Sequence, residues 1–341
     1  MRNKKTKIAV DVMGGDYAPT EIIKGILSTI SDLAIDFTLV GNPKMIQTEL
    51  QNISSSNTPE FTIIPTNEQI TETDSPVDAF RKKPNASIIT AMKLLKTKEV
   101  EAVISMGPTG ATMTTATLIL GLMDGLKRPA VGGNFLGLSQ KTVVMDLGSN
   151  VDVKPEQLIN FAILGSVFSS EYLKIENPKI ALLNIGSETT KGNRVVKETF
   201  HIFKKSNLNF IGNIEGMDIV TDKADVIVCD GFVGNIILKF AGGLGIAISK
   251  LIKQQFSTRI PEKELSKLTQ TIVDATNYTK TIGGGPLFGV NGPVFVGHGS
   301  SKALNVAGAI KYTYDLVNFN IVNKMAIALD AFEKNKKTNG Y

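Results

Sequence analysis

The segment Ile180–Asn193 reads IALLNIGSETTKGN. A short apolar run ends there in Gly186-Ser187-Glu188-Thr189-Thr190-Lys191-Gly192-Asn193, and Val195, Val196, Thr199, Phe200 and Phe203 follow at helical spacing. A strand that breaks into a Gly/Ser/Thr loop and reopens as a helix leaves backbone N–H groups free at the helix start. Those amides, with the helix dipole behind them, favour an anion such as phosphate. Lys191 adds a movable positive charge to the same turn. The chemistry to expect is the handling of a phosphate-like group by an α/β protein.

Four further glycine-rich turns follow strand-like runs: Met13-Gly14-Gly15-Asp16, Gly107-Pro108-Thr109-Gly110, Gly231-Phe232-Val233-Gly234-Asn235 and His298-Gly299-Ser300-Ser301. Any one is weak evidence, because tight strand-to-helix connections favour glycine. Together they point to a shared cleft outside the carboxyl ends of the strands, where open α/β sheets bind ligands. The candidate phosphate- and substrate-binding residues are Gly14, Gly15, Asp16, Gly107, Thr109 and Gly110. To these are added Gly186, Ser187, Glu188, Gly192, Asn193 and Gly234, and then His298, Gly299, Ser300 and Ser301. Gly107–Gly110 lacks a Gly-Lys-Ser/Thr ending, and no Gly-x-Gly-x-x-Gly follows the first strand, so neither nucleotide fingerprint is present. His201 and His298 lack metal-ligand spacing, and no metal or other cofactor is expected. His201 reads as structural. His298, at a strand end beside Gly299, is the better candidate for ligand contact. Cys229, inside VIVCD, reads as a buried small hydrophobe. Asp16 and Glu188 either orient a lysine or satisfy loop amides. No Ser–His–Asp or Cys–His signature appears, which points to chemistry without a covalent enzyme intermediate.

The elements that must position these loops are legible as periodic runs. Strand-like segments are Lys7–Val12, Phe37–Val40, Phe61–Ile64, Val100–Ser105, Thr142–Met145, Lys179–Ile185, Asn209–Ile214, Asp225–Cys229 and Pro293–Val296. Between them lie helical patterns such as Glu21–Ile30, Ala86–Leu95, Glu156–Tyr172 and Val195–Phe203. This alternation predicts an α/β protein whose mainly parallel sheet is covered on both faces. A chain of 341 residues can form one large domain or two smaller ones. No repeat or linker is visible, so the expectation is one domain over 7–332. Residues 241–280 depart from the pattern. Leu244, Ile248, Leu251, Ile252 and Phe256 share one helical face, Leu265, Leu268 and Ile272 another, and Pro261 starts the second helix. A projecting hairpin carrying a net charge of +3 is expected there, packing its apolar stripe on the core or on a second subunit.

Charge and composition exclude other classes. The pI is about 9.0, but residues 1–7 carry +4 and residues 333–341 carry +2. Removing those six charges from the formal +5 leaves the body at −1, so the basicity lies in tails at 1–6 and 333–341. The absence of Trp and the 6% aromatic content argue against a base-stacking surface, and no nucleic-acid partner is expected. The single cysteine excludes an internal disulfide and a Cys-based zinc site. Asp11 interrupts the apolar run Ile8–Val12, and Gly107–Gly110 splits the uncharged stretch Ala102–Met123 into pieces too short to cross a bilayer. The expected location is the cytoplasm.

At the loops the sequence becomes recognisable. AVDVMGGDYAP (Ala9–Pro19), VDVKPEQL (Val151–Leu158), LLNIGSETTKGN (Leu182–Asn193), NFIGNIEG (Asn209–Gly216), ADVIVCDGFVGNIILK (Ala224–Lys239) and GGPLFGVNGPVFVGHGSS (Gly284–Ser301) resemble the PlsX family. These are bacterial acyl-acyl-carrier-protein:phosphate acyltransferases of phospholipid synthesis, and the resemblance runs from about residue 7 to 330. It implies transfer of a long fatty acyl chain from a carrier-protein thioester to inorganic phosphate. The acyl phosphate product would serve a membrane glycerol-3-phosphate acyltransferase. A homodimer is implied, with a Rossmann-like three-layer α/β/α sandwich related to phosphotransacetylase and isocitrate-dehydrogenase-like folds. Lys191 and Asn235 match the family's catalytic positions. Lys191 would offset phosphate or oxyanion charge, and Asn235 would donate a hydrogen bond to the reacting carbonyl or phosphate.

Two departures stand out. Relatives usually read Gly-Asn-Thr-Gly where this chain has Gly107-Pro108-Thr109-Gly110, and Pro108 supplies neither an amide side chain nor an N–H. The hairpin tip, Ser257–Leu268, is more charged than the apolar, membrane-attaching tips of relatives, which weakens the expectation of attachment to the inner face of the membrane. Two other readings fit the same residues: a phosphotransacetylase using a short-chain coenzyme A ester, and a non-catalytic scaffold whose basic hairpin recruits carrier protein. An isocitrate-type dehydrogenase would need a metal-binding carboxylate cluster and a nicotinamide fingerprint that the sequence lacks.

Overall fold

A computed structural model describes residues 5–53, 59–277 and 282–339. The chain divides into two compact units, one made of Met1–Pro129 with Ile282–Ala326, the other of Ala130–Thr281 with Ile327–Tyr341. Neither crossing carries a Pro/Ser-rich linker, so composition shows no boundary within 7–332. In chain order the first unit contributes β1 (Thr6–Asp11), β2 (Ile35–Gly41), β3 (Thr62–Pro65) and β4 (Ala102–Ser105). The second contributes β5 (Ala130–Leu136), β6 (Ser139–Met145), β7 (Ile180–Leu183), β8 (Phe210–Ile214) and β9 (Val226–Val228). The first then adds β10 (Gly284–Phe288) and β11 (Val294–Gly297). The helices that matter below are α1 (Thr20–Leu27), α2 (Pro43–Ile53), α3 (Pro76–Lys82), α4 (Ser87–Lys96), α5 (Thr109–Leu120) and α6 (Pro155–Glu171). They continue with α7 (Arg194–Lys205), α8 (Gly231–Phe256), α9 (Glu262–Thr276), α10 (Ala303–Asn318) and α11 (Ile321–Asn339).

In the first unit the strands lie in the order β3-β2-β1-β4-β11-β10, all parallel except the β10–β11 pair. β4 is buried along its whole length, as a strand covered on both faces must be. The cover comes from α1 with α10 and from α4 with α5. Register brings Asp11 level with Ser105, and Ser105 level with Val296. The loops after β1, β4 and β11 therefore leave the same edge of this sheet.

In the second unit the order is β5-β6-β9-β7-β8, with only β5–β6 antiparallel. Met145 and Leu182 both pair with Val228, so the loops after β6, β7 and β9 again emerge side by side. Phe135, Val144, Ala181, Ile214, Ile227 and Cys229 form a core beneath α8.

The structure corrects three expectations. β5 and β10 are absent from the sequence reading, because Gly132-Gly133 and Gly284-Gly285-Pro286 break the strand pattern. The hairpin helix starts at Gly231, ten residues before the expected 241, so Gly231–Asn235 is the first turn of α8 and not a loop. The hairpin seam itself is made of small and polar residues. Gly242 and Gly245 admit Asn277 and Thr276, and buried Ser249 donates to Thr269 O at 3.0 Å, while Leu244, Leu251 and Phe256 are exposed. Lys280 and the ends 1–4 and 340–341 lie outside the described residues, and the basic stretch expected as a tail from 333 continues α11 as far as Asn339.

Candidate active site

In the second unit the site is built on Asp146, at the end of β6 and fully buried. Its Oδ1 accepts from the N–H groups of Gly148 (3.0 Å) and Ser149 (2.9 Å). Its Oδ2 accepts from Asn150 N–H and Asn150 Nδ2, both at 2.7 Å. Burial pushes this carboxyl above its ordinary value, against the pull of those donors. The turn so held returns Asn150 O to accept from Gly231 N–H at 2.7 Å, at the head of α8. Asp230 caps that helix, its carboxylate accepting from Val233 N–H at 2.8 Å. Gly234 sits where any Cβ would overlap the Asp146 carbonyl, and its own N–H is bonded to Asp230 O, so what it supplies is room. Helix and turn can then approach until Gly148, at φ +142°, abuts the Asn235 side chain; a Cβ there would lie 3.4 Å from Asn235 Cβ.

The loop after β7 is organised by its own polar groups. Asn184 Nδ2 donates to Lys191 O (3.2 Å), Asn213 Nδ2 donates to Glu188 O (3.1 Å), and Lys191 N–H donates to Glu188 O (3.2 Å). Gly192, at φ +96°, packs against the Asn184 amide where a side chain would not fit. Asn193 caps α7 by accepting from Val196 N–H at 2.9 Å. Ser187, Glu188 and Lys191 are exposed and Gly186 is buried. A cavity of about 430 Å³ joins this loop to α8: Asn184, Gly192 and Asn193 line one side, and Asp230 and Val233 the other. Gly192, next to Lys191, and Val233, two residues before Asn235, thus face the same cavity.

In the first unit Asp11 plays the part of Asp146. It is buried at the end of β1, and accepts from Met13 N–H (3.1 Å), Ser105 Oγ (2.8 Å), Ser87 and Gly14. Burial again raises its pKa. Ser105 Oγ in turn accepts from Gly107 N–H at 3.1 Å, tying two loops to one carboxyl. Gly14 lies so close to Gly107 that a Cβ would come within 2.7 Å of its nitrogen. Asp16 N–H donates to Gly299 O at 2.8 Å, which adds the third loop. α5 begins at Thr109 behind Pro108, which gives no side-chain cap, so exposed Thr109 and Gly110 present first-turn amides. Gly14, Gly15, Asp16, Gly107 and Gly299 are therefore brought together. His298 and Ser300 are exposed beside them, whereas Ser301 is buried and donates to Gly283 O at 3.4 Å.

Sequence reasoning missed Asp11, Ser105, Asp146 and Asn150. The available signal was a carboxylate closing an apolar strand run, which in Ile8–Val12 was visible as an interruption. Cys229 is buried as expected, and burial pushes its thiol far up, so it remains a neutral thiol. Among the described residues no group of three or more His, Cys, Asp and Glu side chains is placed to hold a metal.

The sequence matches the family model described as "Fatty acid synthesis protein" over residues 6–324. A phosphate acyltransferase from Thermoanaerobacterium thermosaccharolyticum is 41% identical over 321 residues, 93% of this chain and 95% of the relative. One of the same name from Caldanaerobacter subterraneus is 42% identical over 325 residues, with 93% and 95% covered. Among solved structures, a phosphotransacetylase from Streptococcus pyogenes superposes with a TM-score of 0.61 at 18% identity, covering 96% and 95% of the two chains. A putative 4-hydroxythreonine-4-phosphate dehydrogenase from Salmonella typhimurium gives 0.57 at 12%, covering 92% and 99%. At these identities the two structures show a common mainly parallel α/β fold.

Proposed function

Because this chain belongs to the PlsX family of fatty acid synthesis proteins, we propose that it is a phosphate acyltransferase. It moves an acyl group onto inorganic phosphate in the service of phospholipid synthesis. The donor is the thioester of a long-chain acyl carrier protein. A phosphate oxygen bonds to the thioester carbonyl carbon, whose oxygen becomes an oxyanion. Collapse breaks the carbon–sulfur bond, and the electron pair leaves with sulfur as a thiolate of thiol pKa about 8.5. Phosphate is itself the nucleophile, so the protein needs to position and stabilise, without a covalent relay. Lys191 offsets the charge, and Asn235 donates to the oxyanion or to phosphate. What supports these roles is the exposed Lys191 loop facing, across one cavity, the head of α8 that carries Asn235. Purified protein given palmitoyl-carrier protein should release free carrier protein only when phosphate is present. Turnover of acetyl-coenzyme A alone would move the protein to short-chain chemistry, and silence with both substrates would leave the scaffold reading.

The working form is a homodimer in the cytoplasm. α8 exposes Phe240 (67%), Leu244 (45%) and Leu251 (55%), and water disfavours so large an apolar face. α8 is also long and apolar enough to cross a membrane by length and composition, with 22% of its most apolar window buried. A second copy is the occupant we assign to it. Phe240→Asp should yield monomers by light scattering; an unchanged mass would remove this face from the interface. Lys263 and Lys267, exposed on α9, suit an acidic carrier protein. Reversing both charges should raise KM for acyl-carrier protein and weaken its salt dependence, and an unchanged KM would exclude that docking face. The acyl phosphate released goes to a membrane glycerol-3-phosphate acyltransferase.

A further inference from the structure

The cavity of about 430 Å³ in the second unit is larger than a phosphate requires and falls in the small-ligand range of ~300–1,000 Å³. Its interior wall is aliphatic: Val153, Leu158 of α6, Leu182 of β7, Val196 of α7, Val228 of β9 and Val233 of α8. Of the four Asn and Asp side chains that line it, three already hold the surrounding backbone, and the fourth, Asp152, is exposed. Asn184 donates to Lys191 O and accepts from Ile185 N–H at 2.9 Å, Asn193 accepts from Val196 N–H, and Asp230 accepts from Val233 N–H. A sugar, base or pantetheine placed inside would give up water hydrogen bonds and find few partners in return. A hydrocarbon chain forgoes nothing and gains about 0.8 kcal/mol per methylene, which is roughly fourfold in affinity. Gly192 and Asn193, which follow Lys191 in sequence, and Val233, two residues before Asn235, line the same cavity.

We propose that this cavity, bounded by α6, α7 and the head of α8, holds the alkyl chain of the acyl group, with the thioester carbonyl left at the rim beside Lys191 and Asn235. The proposal rests on the acyltransferase reading above. The cavity then sets chain-length preference, with Val196 as one of its gauges. Val196 is half-buried on the first turn of α7, and its cap uses backbone only, so side-chain size can be changed without touching the Asn193 hydrogen bond.

The test measures kcat/KM for carrier proteins bearing short, medium and long acyl chains, in wild type, Val196→Phe and Val196→Ala. Filling the cavity should lower the long-to-short ratio by roughly fourfold for each methylene excluded. Opening it should raise that ratio. A ratio unmoved in both variants, or an equal fall at every length, overturns the proposal. A second readout needs no turnover: palmitoyl-carrier protein with a photoreactive group at the chain terminus should label wild-type residues of this cavity. Labelling confined to other surfaces overturns the proposal even if the enzyme is active. No acyl phosphate from any chain length would remove the parent reading, and this one with it.

Discussion

Replacing Asp146 with Asn exchanges one buried acceptor oxygen for a donor while keeping the shape. The remaining oxygen can serve Gly148 and Ser149, which donate to Oδ1 at 3.0 and 2.9 Å. The new NH2 then faces Asn150 N–H and Asn150 Nδ2, both of which now donate at 2.7 Å. The Asn150 side chain can rotate away, but its backbone N–H is left without an acceptor, at a cost of about 1–3 kcal/mol. Burying a neutral amide in place of a charge that burial disfavours offsets part of this, so a net loss of about 1–2 kcal/mol is expected. The consequence for catalysis is larger. Asn150 O would no longer be held to receive Gly231 N–H, and the first turn of α8 would carry Asn235 off its position. A displacement on the order of 1 Å at a reacting group costs up to about a hundredfold. Asp146→Asn should therefore lower kcat by roughly ten- to a hundredfold, with KM for phosphate little changed, in phosphate-dependent turnover of palmitoyl-carrier protein. Because Asp146 acts through Asn235, its effect should shrink in an Asn235→Ala background. A variant that loses stability but keeps full kcat, or effects that add in full, would refute this positioning role.

Lys191→Ala should leave the urea midpoint unchanged, since the side chain is exposed, and lower turnover by roughly two to three powers of ten; near-normal turnover would remove Lys191 from the mechanism. Gly14→Ala would set a Cβ 2.7 Å from Gly107 N and 2.8 Å from Asp11 Oδ2, so a loss of about 1–3 kcal/mol in urea unfolding is expected, and a neutral substitution would contradict the close packing of the two loops. Lys83 and Thr71 hold the Asp74 carboxyl down at about 2, below its ordinary 3.8, so its contribution is present above 3.8 and lost as pH falls through about 2. Asp74→Asn should flatten the fall of Tm across that acid window, and an unchanged slope would show that the pair does not carry it.

The parts of the fold legible in the sequence were those where one segment decides its own structure. β4, β7 and β9 are short apolar runs buried along their length or nearly so, and α7 follows its glycine-containing loop with the apolar spacing Val195, Val196, Thr199, Phe200 and Phe203. β10 fails on local pattern because Gly284, at φ +146°, serves a close approach to Val296 across the pair. Gly231 and Gly234 read as a turn for a related reason. In sequence, a glycine that admits a neighbouring carbonyl is indistinguishable from one that bends the chain, and only the Asp146 turn reveals which it is. The hairpin seam escaped because Gly242, Gly245 and Ser249 leave no hydrophobic signal, while Leu244, Leu251 and Phe256 of the visible stripe are exposed. Lys191 and Asn235 were reached through the loop pattern and the family resemblance. Asp11 depends on a distant partner, Ser105, 94 residues away, whereas Asp146 is held by the turn Gly148–Asn150 that follows it, which carries no apolar pattern to mark it.

Direct attack by phosphate is tested most simply by a single turnover with phosphate left out. Enzyme in excess over palmitoyl-carrier protein should release no free carrier protein and show no acyl adduct by intact mass. Adding phosphate should then start release together with acyl phosphate. A stoichiometric burst of free carrier protein before phosphate is added, with the acyl group attached to the enzyme, would contradict direct transfer and require a nucleophile on the protein.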